Sequence, residues 1–314
     1  MWANCLTNRT LPFSFLVCLN GTDTMEEAIA KARTLIEAMG YIQRFRGKTV
    51  LIKIGGSIMD SADALEEMLT DVVFLSTVGL CPIVVHGGGK AISEAMEKRG
   101  LEVQFVQGRR YTDQRTLTVV EHVLCNEINR NLAGTIERLG AKAMGLHTLG
   151  SCVLFGEKLF LEDNDRRIDL GYVGRVTSVN GKLIDLLCNS DTIPVLAPLA
   201  RDKTGGKLNC NADTAAGEVA SELKVAKLVF VSDTHGIRCD PDDPNSLAGV
   251  LAEGKIKEMI DDGVISGGML PKVQACLRAL DAGVQQAHII DGHISHSLLL
   301  EIFTTGGIGT LIQK

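Results

Sequence analysis

Two short apolar runs, Thr49–Ile54 and Cys81–Val85, each stop at bare glycines: Gly55-Gly56 after the first, Gly87-Gly88-Gly89 after the second. An apolar run of this length closed by a turn suits a buried strand and is too short for an ordinary helix. A helical pattern follows each, Ala62–Thr77 and then Ala91–Arg99. Ile193–Leu196, Leu228–Val231 and His288–Ile290 read as further buried strands, with helices at Ala212–Glu222, Ile256–Asp262 and Pro271–Ala282. Thr116–Leu139 reads as one long helix, followed by a short strand at Lys142–Leu146 and a hairpin within Ser151–Leu161. Alternation of this kind predicts an α/β fold, a mostly parallel sheet covered by helices on both faces. Ligands of such sheets gather at the carboxyl ends of the strands, where both glycine clusters lie.

Lysine stands close to paired glycines twice, in Lys53-Ile54-Gly55-Gly56 and in Gly267-Gly268-Met269-Leu270-Pro271-Lys272. Between them lies a polar cluster, Asn209-Cys210-Asn211-Ala212-Asp213. Phosphoryl transfer needs positive charge around the moving group and backbone N–H groups near anionic oxygens. Glycine lets the backbone come close, and lysine supplies a compact point charge. The set implies an ATP-dependent kinase. It is neither a P-loop enzyme nor a dinucleotide fold, because G-x-x-x-x-G-K-[ST] and G-x-G-x-x-G are both missing from the sequence.

A net charge of -6 gives no electrostatic support for a nucleic-acid partner. The nine cysteines are scattered without a C-x-x-C pair, which argues against a zinc site or a disulfide framework and suggests reduced thiols in a cytoplasm. No apolar run approaches the ~20 residues that span a bilayer, so no membrane association is expected. Residues 1–24 read as a disordered tail, or as sequence upstream of a true start at Met25. Their apolar stretch Leu11–Leu19 could also pass for a short signal-peptide core, although only Arg9 precedes it as a positive charge and no small-x-small site follows.

The joint order of these motifs resembles the amino acid kinase family, from about Thr24 to Lys314. Gly108-Arg109-Arg110-Tyr111-Thr112-Asp113 resembles the family's G-L-R-x-T-D, and Asp169–Gly174 and Asp291–Phe303 extend the likeness. Within the family it resembles the branch that phosphorylates the side-chain carboxylate of N-acetyl-L-glutamate in arginine biosynthesis, in its arginine-sensitive hexameric type. The resemblance implies a three-layer αβα sandwich with an open, mainly parallel sheet. An amino-acid lobe (47–200) would precede a nucleotide lobe (201–314). It also implies ATP and Mg²⁺ as cofactors, the metal held largely by ATP and water with no protein ligand.

The same resemblance assigns roles. Lys53 and Lys272 would flank the moving phosphoryl group, and Asp213 would orient both, its alternative being a cap on the helix beginning at Ala212. Gly88 and Gly89 would hold the reacting carboxylate, Asn209 would bond the substrate, and Arg110 would clamp its α-carboxylate in a two-pronged pair. Arg109 reads as a solvated charge. Gly55, Gly56, Asn211, Asp233, Gly236, Ser266, Gly267, Gly268 and Met269 would approach ATP, a structural turn being the alternative for Asn211. His235 stands where the family has a small residue or proline; the reacting carboxylate is already ionised and needs no general base.

Three departures matter. Lys90 follows the triple glycine in place of an uncharged residue, and either tightens anion binding or pairs with a local acid. His147-Thr148-Leu149-Gly150 replaces the family's S-G-K-D-G loop, and Ile54 and Ser57 replace its frequent Tyr and Asn. They leave two rivals, a kinase for a related acidic substrate such as an aminoadipate derivative, and a catalytically silent arginine or nucleotide sensor.

The ends of the chain carry a regulatory expectation. Met25–Arg46, with Thr24 as its cap, sets Ile29, Ala32, Leu35, Ile36, Met39 and Ile42 on one stripe. It resembles the helix that links dimers of arginine-sensitive members into a hexamer, a trimer of dimers. His296, Glu301, Gly307 and Gly309 resemble their site for the effector arginine. The alternative is a helix that packs on its own domain and a turn that only closes the fold.

Overall fold

The computed structural model describes residues 24–163, 166–243, 245–304 and 306–314. The expectation for the amino-terminal tail therefore lies outside the described residues, Thr24 apart. The chain divides into two compact units, Met1–Gly40 and Tyr41–Lys314. Helix α1 (Met25–Phe45) begins in the first. It opens with a capping box: the Thr24 hydroxyl accepts from the Glu27 N–H at 3.3 Å, and the Glu27 carboxylate accepts from the Thr24 N–H at 2.9 Å. Taken by itself, this unit is one helix among the described residues, with Ile29, Leu35, Ile36 and Met39 exposed.

The second unit starts with the last turn of α1 and runs through β1 (Thr49–Ile54), α2 (Gly56–Met59), α3 (Ala62–Thr77), β2 (Cys81–His86) and α4 (Gly89–Glu97). A small hairpin, β3 (Phe105–Val106) and β4 (Arg109–Arg110), follows. The long helix expected at Thr116–Leu139 is α5 (Gln114–Glu121), a π-helical segment (His122–Asn129) and α6 (Arg130–Arg138) in unbroken succession. Then come β5 (Lys142–Leu146), β6 (Leu154–Asp163), β7 (Arg166–Val179), α7 (Gly181–Cys188), β8 (Thr192–Leu196), β9 (Leu199–Arg201) and β10 (Lys207–Cys210). The chain closes with α8 (Ala212–Leu223), β11 (Lys227–Ser232), β12 (Val250–Ala252), α9 (Glu253–Asp261), α10 (Met269–Asp281), β13 (Gln286–Asp291), α11 (Ser297–Phe303) and β14 (Thr310–Gln313).

Among the described residues, eight strands form the main sheet in the order β12-β14-β13-β11-β1-β2-β8-β5. Every neighbouring pair is parallel except β13 with β14. β6, β7, β9 and β10 pair in a closed ring, a small four-stranded barrel. The hairpin expected within Ser151–Leu161 is not there: that stretch holds β6 alone, whose partner β7 lies beyond it, paired as far as Asp163 opposite Arg166. Extended strands tolerate charged residues wherever one side faces solvent, so Glu162 did not end the strand.

Side chains alternate across a strand, and this alternation sorts the core. Leu51, Ile83, Val85, Leu228 and Phe230 enter one cluster with Ala215, Ala216 and Val219 of α8 and Ala275 and Ala279 of α10. Val50, Ile52, Ile54, Val84 and Val229 enter the other, with Leu69 and Val72 of α3, Leu132 of α6 and Leu298 of α11. Helices thus cover both faces. Lys53 shares the parity of Leu51, so it faces the helix that carries Asp213.

Candidate active site

A cavity of about 250 Å³ opens at the carboxyl ends of β1 and β2, lined by Lys53, Gly56, Gly87–Gly89, Arg109, Arg110, Asn209, Asn211 and Asp213 among others. Strand parity delivers Lys53 to it, and the first turn of α8 delivers Asp213. The Lys53 ammonium lies 2.7 Å from Asp213 Oδ1, with both side chains buried. Lys272, near the start of α10, reaches Oδ2 of the same carboxylate at 3.5 Å and donates to the Gly268 carbonyl at 3.1 Å. Burial pushes the Asp213 carboxyl up, but Lys53 and then Lys272 outweigh it and hold it below its ordinary value. One buried carboxylate therefore gathers two cations from elements far apart in sequence. The helix cap is Asn211, whose side chain accepts from the Thr214 N–H at 2.9 Å, so the cap alternative for Asp213 is set aside.

Gly88 and Gly89 begin α4, where first-turn N–H groups have no partner within the helix. A Cβ on Gly88 would sit 2.7 Å from Leu124 Cδ2 and 2.8 Å from Ile128 Cδ1, so any side chain there would displace the two that floor the turn. Gly55 is constrained by backbone: its N–H donates to the Val231 carbonyl at 3.0 Å, and a Cβ would lie 2.9 Å from that oxygen.

Arg110 is 7% exposed, and no ion pair with an acid holds its guanidinium among the described residues. It donates to the Gly89 carbonyl and the Ser93 hydroxyl, both at 2.7 Å, and its guanidinium lies 4.8 Å from the Phe105 ring centroid. Burial lowers its pKa. A buried cation held only by neutral groups is a site for an anion. Asn209 donates to the Thr112 hydroxyl at 3.1 Å and lines the same cavity. Sequence reasoning missed Ser93 and Phe105; the one available signal was Ser93, one helical turn beyond Gly89. Arg109 also lines the cavity and is half-buried, with Arg278 nearby, which corrects its reading as a solvated charge.

The other expected residues lie apart from this cavity. Asp233 accepts from the Ser232 hydroxyl at 3.2 Å, beyond the end of β11. Gly236 adopts φ 143, and a Cβ there would meet Thr310 Oγ at 2.5 Å. Ser266, Gly267 and Gly268 are exposed and lead into Met269 at the start of α10. His235 pairs with Asp291 at 2.9 Å. Lys90 pairs with Asp60 at 3.0 Å on the surface, which resolves its two readings in favour of the local acid.

A second cavity, of about 310 Å³, is lined by Tyr41, Arg44, Phe45, Lys227, His288, Glu301, Gly307 and neighbours. His288 Nδ1 lies 2.6 Å from Glu301 Oε1, and its Nε2 lies 3.3 Å from the Lys227 ammonium. An ammonium only donates, so Nε2 accepts and Nδ1–H donates to the carboxylate: a neutral imidazole bridges cation and anion. Burial pushes His288 down and Lys227 down to about 8. The N–H groups of Ile308 and Gly309 bond the other Glu301 oxygen at 2.7 and 3.1 Å. Of the expected effector residues, Glu301 and Gly307 line this cavity and Gly309 supports Glu301. His296 does not: it caps α11 with φ 53 and binds the buried Asp71 at 2.7 Å. Its neighbours in sequence turn towards the cavity only where α11 rotates Glu301 inward.

Residues 48–291 match the amino acid kinase family model. Acetylglutamate kinase from Halothermothrix orenii is 44% identical over 290 residues, 92% of this chain and 99% of that protein. Acetylglutamate kinase from Methanothrix thermoacetophila is 42% identical over 285 residues, 90% of this chain and 99% of that one. Among solved structures, N-acetylglutamate synthase from Neisseria gonorrhoeae, complexed with coenzyme A and N-acetyl-glutamate, superposes with a TM-score of 0.79 at 22% identity. That match covers 93% of this chain and 64% of the synthase chain, and carries the fold alone.

Proposed function

The chain belongs to the amino acid kinase family, and from that premise we propose that it transfers the γ-phosphoryl group of ATP to the side-chain carboxylate of N-acetyl-L-glutamate. The products are ADP and N-acetyl-L-glutamyl 5-phosphate, an intermediate of arginine biosynthesis. The observation that carries the reading is the pair of lysines on Asp213 beside the glycine cradle. Arg110 takes the α-carboxylate and Asn209 bonds the substrate. The N–H groups of Gly88 and Gly89 hold the reacting carboxylate, whose oxygen attacks the γ-phosphorus in line. Lys53 and Lys272 stabilise the charge that builds on the transferring group, and Asp213 keeps both ammonium groups aimed.

ATP approaches from the ends of β11 and α10, past Gly55, Gly56, Asn211, Asp233, Gly236 and Ser266–Met269. Mg²⁺, carried in with the nucleotide, would neutralise charge on its phosphates while Lys53 and Lys272 act on the transferring group.

The second cavity supports arginine as effector. Glu301 meets the guanidinium, and Arg44 and Lys227 offer cations to the α-carboxylate. The exposed stripe of α1 suits packing against another copy of the chain, as a hexamer built as a trimer of dimers requires. A coupled ADP-release assay with a panel of acylated amino acids tests the reaction. N-acetyl-L-glutamate should give the highest kcat/KM; turnover confined to another acyl-amino acid would replace the substrate.

A further inference from the structure

His86 ends β2 directly before the glycine cradle and is fully buried. Its Nδ1 lies 2.9 Å from the Gly87 carbonyl oxygen, and its Nε2 lies 3.1 Å from Asn129 Nδ2. The same amide nitrogen donates to the Val195 carbonyl at 2.8 Å. Flipping the amide would set its oxygen against that carbonyl, so the NH₂ faces both acceptors. Nε2 must then accept, and Nδ1 carries the proton that Gly87 O receives. Burial keeps the ring uncharged, its pKa pushed down to about 4.

This contact reaches the cradle through peptide geometry. The Gly87 carbonyl and the Gly88 N–H belong to one planar trans peptide and point in opposite directions. An imidazole that holds the carbonyl turns the N–H the other way, towards the cavity that Gly87–Gly89 line.

Asn129 owes its place to the π-helical segment. Bonding from i to i+5 puts Leu124 and Asn129 one turn apart on a common side. At α-helical spacing they would diverge by about 140°. In the π geometry Leu124 and Ile128 floor Gly88 while Asn129 reaches His86. Gly145 on β5 leaves room for the amide, since a Cβ there would collide with Asn129 Oδ1.

We propose that the π-helical segment is the positioning device of the glycine cradle: Asn129 fixes His86 as its Nδ1–H tautomer, His86 fixes the Gly87–Gly88 peptide, and Leu124 and Ile128 support it from below. His86 and Asn129 are positioning residues. What the cradle holds rests on the kinase reading above.

The test separates the two ends of the imidazole. His86→Asn keeps a donor at the δ position, whereas His86→Gln can offer its carbonyl acceptor at the ε position but has no donor at δ. His86→Gln and Asn129→Leu should each lower kcat about 10- to 100-fold with KM for ATP unchanged, because a small misplacement of the cradle is felt in the transition state. His86→Asn should fall less, and the double variant His86→Gln/Asn129→Leu no further than either single. Nitrogen NMR of ¹⁵N-histidine-labelled protein gives a readout apart from activity. His86 should be neutral and protonated at Nδ1 at pH 6, and Asn129→Leu should release it to mixed tautomers. An Nε2–H or charged His86 in the wild type overturns the proposal, as does unchanged kcat in the folded variants. So does an equal loss in both His86 variants that tracks melting temperature. A wild type inactive on N-acetyl-L-glutamate would sink the kinase reading alone, since the NMR arm still decides the device.

Discussion

Asp213 holds two charges of opposite sign to its own, and the two contacts are unequal. Lys53 sits at 2.7 Å and is buried; Lys272 sits at 3.5 Å and is more exposed. Lys272→Met should therefore cost mainly rate, about 10²-fold in kcat with the fold intact. Wild-type turnover in that variant would remove Lys272 from the chemistry. Asp213→Asn should cost stability too, because it strands Lys53 as a buried charge, a loss of about 3–5 kcal/mol in urea unfolding. Arg110→Lys replaces a fork by a point contact, and should raise KM for the amino-acid substrate by the equivalent of about 1–3 kcal/mol while KM for ATP stays put. Lys227 offers a pH test. Its folded pKa, about 8, lies below its ordinary value of 10.5, so the unfolded chain binds the extra proton between those values. Stability contributed at this site should rise as pH climbs from 8 to 10.5, and be lowest below 8, where the buried group is charged. The difference in unfolding free energy between wild type and Lys227→Met, followed over that range, should show the slope; a flat difference would contradict it.

Helices α8 and α10 carry the two ends of the Asp213–Lys272 contact, and their spacing is set by a glycine. A Cβ on Gly217 would lie 3.0 Å from Ala275 Cβ. Gly217→Ala should push the helices apart and lower kcat several-fold, and Ala275→Gly in the same chain should restore most of it. Additive losses in the double variant would show that the helices do not need this approach. Elements of ordinary length were legible in the sequence because their apolar residues recur at strand or helix period. Thr49–Ile54, Ala62–Thr77 and Ala212–Leu223 are cases in point. Gly181–Cys188 was not: eight residues give barely two turns of pattern, and the helix is marked by Asn180, which caps it by accepting from the Leu183 N–H at 3.3 Å. The short strands β9, β10 and β14 carry too few residues to show a period. The π-helical segment is equally silent, because eight residues of apolar pattern fit an α-helix as well. Arg109 and His296 were misplaced for a related reason, since a motif fixes neighbours in sequence while hairpin and helix geometry decide which side chain turns inward.

Quaternary regulation is a matter for the whole molecule, and the boundary between the two compact units says where to cut. Residues 1–40 form a unit of their own, whereas the end of the same helix belongs to the second unit. Tyr41 packs edge-on against Phe303 with ring centroids 6.5 Å apart, and the Lys227 ammonium lies 5.0 Å from the Phe45 ring centroid. Tyr41 and Phe45 line the second cavity with Arg44. A truncation through residue 46 would strip these contacts and confuse loss of the proposed assembly with loss of the proposed effector pocket. Removal of residues 1–40 should instead leave a folded, active enzyme of smaller size by light scattering, with kcat close to that of the full chain and weaker inhibition by arginine. Removal of residues 1–46 should further lower the melting temperature, because Phe45 is part of the core beside Val50 and Leu80. If the full chain runs as a dimer and ignores millimolar arginine, the regulatory reading fails while the kinase reading stands. If both truncations melt alike and respond alike to arginine, the aromatic end of α1 has no part in the pocket.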